Sequence, residues 1–306
     1  MDKQPDLNAP LQQFLDHLAQ HRRLSQHTVT SYQRDCQQLS RWCQQQKITH
    51  WQRLKPVELR QFVSGLHRQG LSARTIHRLL SAVRSFYRYL IQISLVDHNP
   101  AQSVQAPKTE KRLPKTFDVD QVSALLDLTP DTTFVACRDR AIMELFYSSG
   151  LRLAELAALD LQDVDFAEQQ LWVHEGKGGK DRILPMGSKA IAALKNWLDK
   201  REQQRLITST ALFITQQGRR LGVRSIQQRL AYWGKKHGLS QHVHPHRLRH
   251  AFASHMLESS GDLRAVQELL GHADISTTQI YTHVDFNHLA KVYDSAHPRA
   301  KKRDRS

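Results

Sequence analysis

Between His242 and Tyr281 the chain concentrates the side chains that could do chemistry: a run of histidines, Arg249 and one tyrosine, Tyr281. A tyrosine hydroxyl, with a pKa of about 10, is a weak nucleophile unless a base or nearby cations activate it. A phosphodiester under attack gathers negative charge on its non-bridging oxygens, and arginines answer that charge with paired N–H donors and no metal. The departing alkoxide then needs a proton from a lysine or histidine. Tyrosine, arginine and histidine here, with a lysine brought from elsewhere in the chain, are thus the parts of a phosphoryl transfer in which Tyr281 is the nucleophile.

A metal site is the competing chemistry, because His242, His244, His246, His250 and His255 are crowded. His246 and His250 are four apart, like the pair in H-E-x-x-H, but Arg247 stands where that motif has Glu, and Arg249 lies between the two histidines. Two cations inside a zinc site oppose metal binding, so no metal and no cofactor is expected. His246 and Arg249, three apart at the start of a helix after Pro245, share a face, and a helix N-terminus attracts phosphate.

Other elements must complete the site. A helix with Ala141, Ile142, Leu145 and Phe146 on one face stops at Ser148-Ser149-Gly150, which puts Arg152 at a backbone corner. Two strand-like runs, 171–174 and 182–185, flank the glycine-rich segment 175–181, which reads as a hairpin turn. The G-x-x-x-x-G-K-[ST] spacing of a nucleotide loop is absent, so the segment is read as a hairpin that delivers a lysine, Lys177 with Lys180 in reserve. Gly271 ends a helix over Leu263, Val266, Leu269 and Leu270, leaving His272 at the next corner, and a short helix opened by Asp274 to Thr277 carries Tyr281. Phe286 to Tyr293 reads as one more helix, before a basic tail whose last six residues are expected to be frayed and solvated.

The front half is helical throughout. Leu11, Phe14, Leu15 and Leu18 form one apolar face; Val29, Tyr32, Cys36, Leu39 and Cys43 a second. Pro56 sits at a helix N1 position ahead of Leu59, Phe62, Val63 and Leu66, and Ser72 can cap a fourth helix through Ile76, Leu79, Val83, Phe86 and Leu90. Four amphipathic helices make a bundle. Residues 97–115 hold Pro100, Pro107 and Pro114 with no apolar period, so they read as a linker, with the boundary near Lys108. The expected domains are 1–107, a helical DNA-binding domain, and 108–306, a mostly helical domain with a small antiparallel sheet.

The chain has 306 residues and a formal charge of +15, a balance that favours a polyanionic partner and most commonly nucleic acid. The repeated Arg74, Arg78, Arg84 and Arg88 on the fourth helix, with His77, and Arg224 and Arg229 further on, suit a face that tracks phosphates. No apolar run approaches the ~18 residues of a membrane span, and the opening MDKQPDLNAPLQQF lacks a signal-peptide pattern. Cys36, Cys43 and Cys137, without metal spacing, suit reduced thiols in a cytosolic protein.

SSGLRLAEL, the EGKGGK hairpin, HPHRLRH, LLGH and QIYTH, in this order and spacing, resemble the tyrosine recombinase family. The resemblance covers the whole chain and implies a four-helix core-binding domain of the SAM-like type followed by a catalytic domain. It implies that Arg152 and Arg249 hold a scissile phosphate and that Tyr281 forms a 3′-phosphotyrosyl bond. Lys177 would then protonate the leaving 5′ oxygen, with His246 assisting proton transfer, His272 bonding the phosphate and Glu155 orienting Arg152. It also implies a Holliday junction and a tetramer on two DNA sites. The closing stretch is most similar to the family's bacterial chromosome-resolution members. Those pair with a sister recombinase, XerD, on a dif-type site under an FtsK-type DNA translocase, and dock a C-terminal segment on the neighbouring protomer. A type IB topoisomerase and a non-catalytic helical DNA-binding protein are the alternatives.

Overall fold

The structure, a computed structural model, describes residues 7–21, 26–108, 116–129, 132–174, 181–204, 207–239, 243–271 and 283–300. The chain divides into two compact units, 1–113 and 114–306.

In the first unit, α1 (Asn8–His21), α2 (Gln26–Gln45), α3 (Pro56–Arg68) and α4 (Ala73–Gln92) bury the apolar faces that the 3.6-residue period marks out. Phe14, Leu39, Phe62, Leu79 and Phe86 form the centre, and Cys36 and Cys43 are fully buried among them as small hydrophobes. Pro56 is at the start of α3, and Ser72 accepts the backbone N–H of Thr75 at 3.2 Å as the cap of α4.

The expected linker differs in its first part. Ala101 and Val104 are buried in this core, and Arg84 donates to the carbonyls of Ala101 (3.0 Å) and Val104 (2.7 Å). Residues 97–104 are therefore packed chain rather than free linker, because two apolar side chains and a guanidinium seat them.

The second unit contains α5 (Val119–Asp127), α6 (Phe134–Ser149), α7 (Leu153–Ala158), β1 (Val164–Asp165), β2 (Gln170–Val173), β3 (Arg182–Pro185), α8 (Ser188–Glu202), α9 (Val223–Lys236), α10 (Pro245–Ser260), α11 (Leu263–Leu270) and α12 (His283–Ala296). The strands form an antiparallel sheet in the order β1-β2-β3, with Leu171 opposite Leu184 and Val173 opposite Arg182. Strand β1 has two residues, too few to show an alternation in sequence.

Helix α6 is buried on nearly all sides, which suits a central helix covered by its neighbours. Helix α12 outruns the expected Phe286 to Tyr293 at both ends. Gly261, in the left-handed conformation, ends α10, and Tyr293 and Ala296 in the last turns of α12 are buried against the same unit.

The segment after α12 is seated on its own unit. His297 is fully buried, and Arg299 pairs with Glu144 and Asp127.

Candidate active site

Helix ends converge on one place. Helix α6 ends at Gly150, whose φ of 57° is left-handed, and a Cβ there would lie 2.4 Å from the ring of Phe252. Glycine is therefore required twice, for conformation and for space. The chain turns through Leu151, and Arg152 becomes the N-cap residue of α7. Its backbone N–H donates to Glu155 Oε2 at 2.7 Å, and its Nη1 donates to Glu155 Oε1 at 2.7 Å. The contact expected between Glu155 and Arg152 is present, made by backbone and side chain together.

Arg152 Nη2 donates to the carbonyl of Gly271 at 2.8 Å, and Arg249 Nη2 donates to that of Leu270 at 2.6 Å. These consecutive carbonyls lie at the C-terminal end of α11, which has no further helical N–H to satisfy them and carries the negative end of the helix dipole. Arg249 also donates from Nη1 to the carbonyl of Gly150, the cap of α6. Two arginines from distant segments are thereby held from behind by backbone. Described partners engage two of each guanidinium's five N–H donors.

The electrostatics follow from this crowding. Arg249 is buried, 8% exposed, and burial, followed by the nearby charges of Arg152 and Arg182, pulls its pKa down to about 10 while Glu155 works the other way. It remains a cation at neutral pH. Glu155 is the compensating anion: burial alone raises its pKa, but hydrogen bonds and charge from Arg182, then bonds from Arg152, outweigh this and hold it at about 2. The cluster thus carries three guanidiniums and one carboxylate, a net positive site open on the Arg152 side, where that side chain is 27% exposed. Such a site suits a phosphodiester, whose charge grows during attack.

A profile of the phage integrase family matches residues 115–288, and a profile of the phage integrase N-terminal SAM-like domain matches residues 11–93. The chain belongs to the phage integrase family of tyrosine recombinases. It is 53% identical over 297 residues to the tyrosine recombinase XerC of Azotobacter vinelandii, covering 97% of this chain and 98% of that one. It is 54% identical over 292 residues to the tyrosine recombinase XerC of Pseudomonas entomophila, covering 95% and 97%. Among solved structures, a lambda integrase dimer bound to a COC′ core site superimposes with a TM-score of 0.70 at 19% identity, over 91% of this chain and 99% of that one, and shares its fold.

Within that family frame, the structure brings Arg152 and Arg249 together and leaves His246 exposed on the first turn of α10, after the N1 residue Pro245. His246 and Arg249 differ in burial although they are one turn apart, because Arg249 reaches inward between α6 and α11. Lys177, with its reserve Lys180, lies outside the described residues, as do His272, Tyr281 and the short helix expected to open at Asp274 to Thr277.

The remaining histidines separate by environment. His244 and His250 are exposed. His255 is a buried strut: its Nε2 donates to Phe117 O at 3.0 Å while its Nδ1 accepts from the Tyr147 hydroxyl at 2.9 Å, and burial lowers its pKa.

Three of the arginines expected on phosphate-tracking faces are engaged within the chain. Arg78 bonds Asp35 at 2.5 Å and Arg84 binds the carbonyls named above. Arg229 bonds the buried Asp139 and stacks 4.3 Å over the Tyr232 ring. Each of these three stands beside a buried carboxylate or backbone carbonyls that claim its donors. Arg74, Arg88 and Arg224 are exposed. Arg182 is the residue that sequence reasoning passed over. It lies in a strand-like run, where its only signal is a charge beside apolar residues.

Proposed function

We propose that this chain is a XerC-type site-specific recombinase that resolves chromosome dimers at a dif-type DNA site in the bacterial cytoplasm, together with a XerD sister recombinase and under an FtsK-type translocase. The observation that carries the chemistry is the pair Arg152 and Arg249, held on the consecutive carbonyls of Leu270 and Gly271, immediately before His272 in the chain. The similarity to named XerC proteins across almost the whole chain supports the biological setting.

In this reading the Tyr281 hydroxyl oxygen attacks the scissile phosphorus, the bond from phosphorus to the 5′ oxygen breaks, and Lys177 supplies the proton that makes the leaving group a 5′-hydroxyl. Arg152, Arg249 and His272 bind the non-bridging oxygens, and His246 assists proton transfer to and from Tyr281. The 3′-phosphotyrosyl bond conserves the energy of the phosphodiester, so a second strand's 5′-hydroxyl reverses the step without ATP or metal. Two rounds pass through a Holliday junction within a tetramer. Residues 1–107 form the core-binding domain, and Arg74, Arg88 and Arg224 contact phosphate. Exchanging any one of these three for Gln lowers affinity evenly across DNA sequences and reduces the salt slope by about one.

The test is covalent capture. The protein is incubated in EDTA with a nicked duplex bearing a candidate dif site, and denaturation-resistant adducts are counted. Adduct with the unsubstituted chain and none with Tyr281→Phe supports the reading, and equal adduct from both removes Tyr281 as nucleophile. Strand exchange with the XerD partner supports a recombinase, whereas relaxation of supercoils alone indicates a topoisomerase.

A further inference from the structure

We propose that Arg182 is a positioning residue for strand cleavage, which holds Glu155 against Arg152 and packs on Gly271, the two groups that fix the Arg152 guanidinium. The proposal rests on the reading that Arg152 binds the scissile phosphate. Arg182 opens β3, the strand that leads out of segment 175–180, and its side chain is 4% exposed. Its Nη1 donates to Glu155 Oε1 at 3.0 Å and its Nη2 to Glu155 Oε2 at 2.8 Å, a bidentate pair.

The same two oxygens take the bonds from Arg152, Oε1 from its Nη1 and Oε2 from its backbone N–H. An ionised carboxylate has roughly four acceptor positions. Here each oxygen receives one bond from Arg152 and one from Arg182, so the carboxylate cannot turn without breaking bonds to both. On its other side Arg182 lies against Gly271: a Cβ there would meet Arg182 Cζ and Nε at 3.2 Å. Gly271 is the residue whose carbonyl accepts from Arg152 Nη2. Arg182 thus touches both supports of Arg152 while Arg152 keeps its exposed edge for the phosphate.

The chemistry gives this role a signature that a purely structural contact lacks. With Arg182 in place, Glu155 stays ionised at every working pH. Without it, burial is opposed only by the bonds from Arg152 and the nearby charge of Arg249, the carboxyl pKa rises, and protonation on the acid side releases Arg152. Cleavage by Arg182→Gln therefore falls as pH is lowered through the raised pKa.

Single-turnover adduct formation on the nicked site is measured with the full chain from pH 5 to 8.5, with DNA affinity read separately by gel shift. Arg182→Gln is expected to bind within about twofold of the unsubstituted chain. Its cleavage should be slower by on the order of 10²-fold, as for a misplaced clamp, with its acid limb at higher pH. Arg182→Lys, which keeps the charge but not the fork, should fall between the two and serves if Arg182→Gln does not fold. In a Glu155→Gln background, adding Arg182→Gln should cost less than about twofold more, because both act through one group.

Folded Arg182→Gln and Arg182→Lys proteins that cleave like the unsubstituted chain across the pH range overturn the positioning role. So do the Arg182→Gln and Glu155→Gln effects if they multiply in the double variant. Absence of adduct with the unsubstituted chain overturns the recombinase reading itself, a result distinct from either.

Discussion

The two units are built by different physics. Among the described residues the first unit buries one charged side chain, Asp35, and is otherwise closed by apolar faces from four helices. The second buries Glu144 with Arg299, Arg138 with Asp139, and Glu155 with Arg182, besides Arg249. Apolar burial is non-directional and holds helices together without dictating where one guanidinium points. A buried ion is costly unless its partners are placed with correct geometry, so ion networks fix orientation at the risk of large losses when one member goes. The unit in which Arg152 and Arg249 converge carries the ions.

The comparison breaks most sharply at Arg299. Arg299→Ala leaves Glu144 buried without its counter-ion and should destabilise the second unit by about 3–5 kcal/mol, with the unfolding of the first unit unmoved. Calorimetry checks this, and a loss below about 1 kcal/mol would mean the pair behaves like a surface bridge. In the first unit the corresponding change is Leu79→Ala, which opens a cavity in a fully buried site. It should cost roughly 3 kcal/mol, and by the same amount at pH 5 and pH 7, since no ion is involved.

The pH response separates the units next. His297 Nε2 donates to Tyr147 O at 3.0 Å and its Nδ1 accepts from the Arg299 backbone N–H at 3.2 Å, so the ring is neutral. Burial holds its pKa near about 3, against an ordinary 6.5. The unfolded chain therefore takes up the proton first. This contribution to stability is complete above pH 6.5 and is lost as pH falls towards 3. The second unit should lose up to ~1.4 kcal/mol per pH unit in that window, and His297→Gln should flatten the slope in urea titrations. An unchanged slope would remove His297 as its source. The smallest effect is Ser72→Ala, which deletes the cap of α4 and should cost the first unit about 1 kcal/mol with the second unit untouched; a change of a tenth of that would show the cap to be idle.

The apolar faces of α1 to α4 were legible because a 3.6-residue period is a local property, as were the stops at Gly150 and Gly271, where left-handed backbone asks for glycine. In the site, Arg152 and Arg249 were singled out by the family motifs, and the contact expected between Glu155 and Arg152 is present. Arg182 was not, since a strand charge gives no sign of the carboxylate it will meet. Nor did the spacing of Arg78, Arg84 and Arg229 show that Asp35, the carbonyls at 101 and 104, and Asp139 would claim them. Every arginine on a basic helix looks equally available until its buried neighbours are known.

By itself, then, the sequence determined the helices, the punctuation between them, the family and which residue types the chemistry calls on, since each of these is written in local period or in motif order. The tertiary structure alone decided which arginines are exposed, which are claimed within the chain, and what holds Arg152 and Arg249. Those outcomes depend on carboxylates and helix-end carbonyls brought in from distant segments, and a buried donor is fixed by the acceptor it finds rather than by its place in the chain.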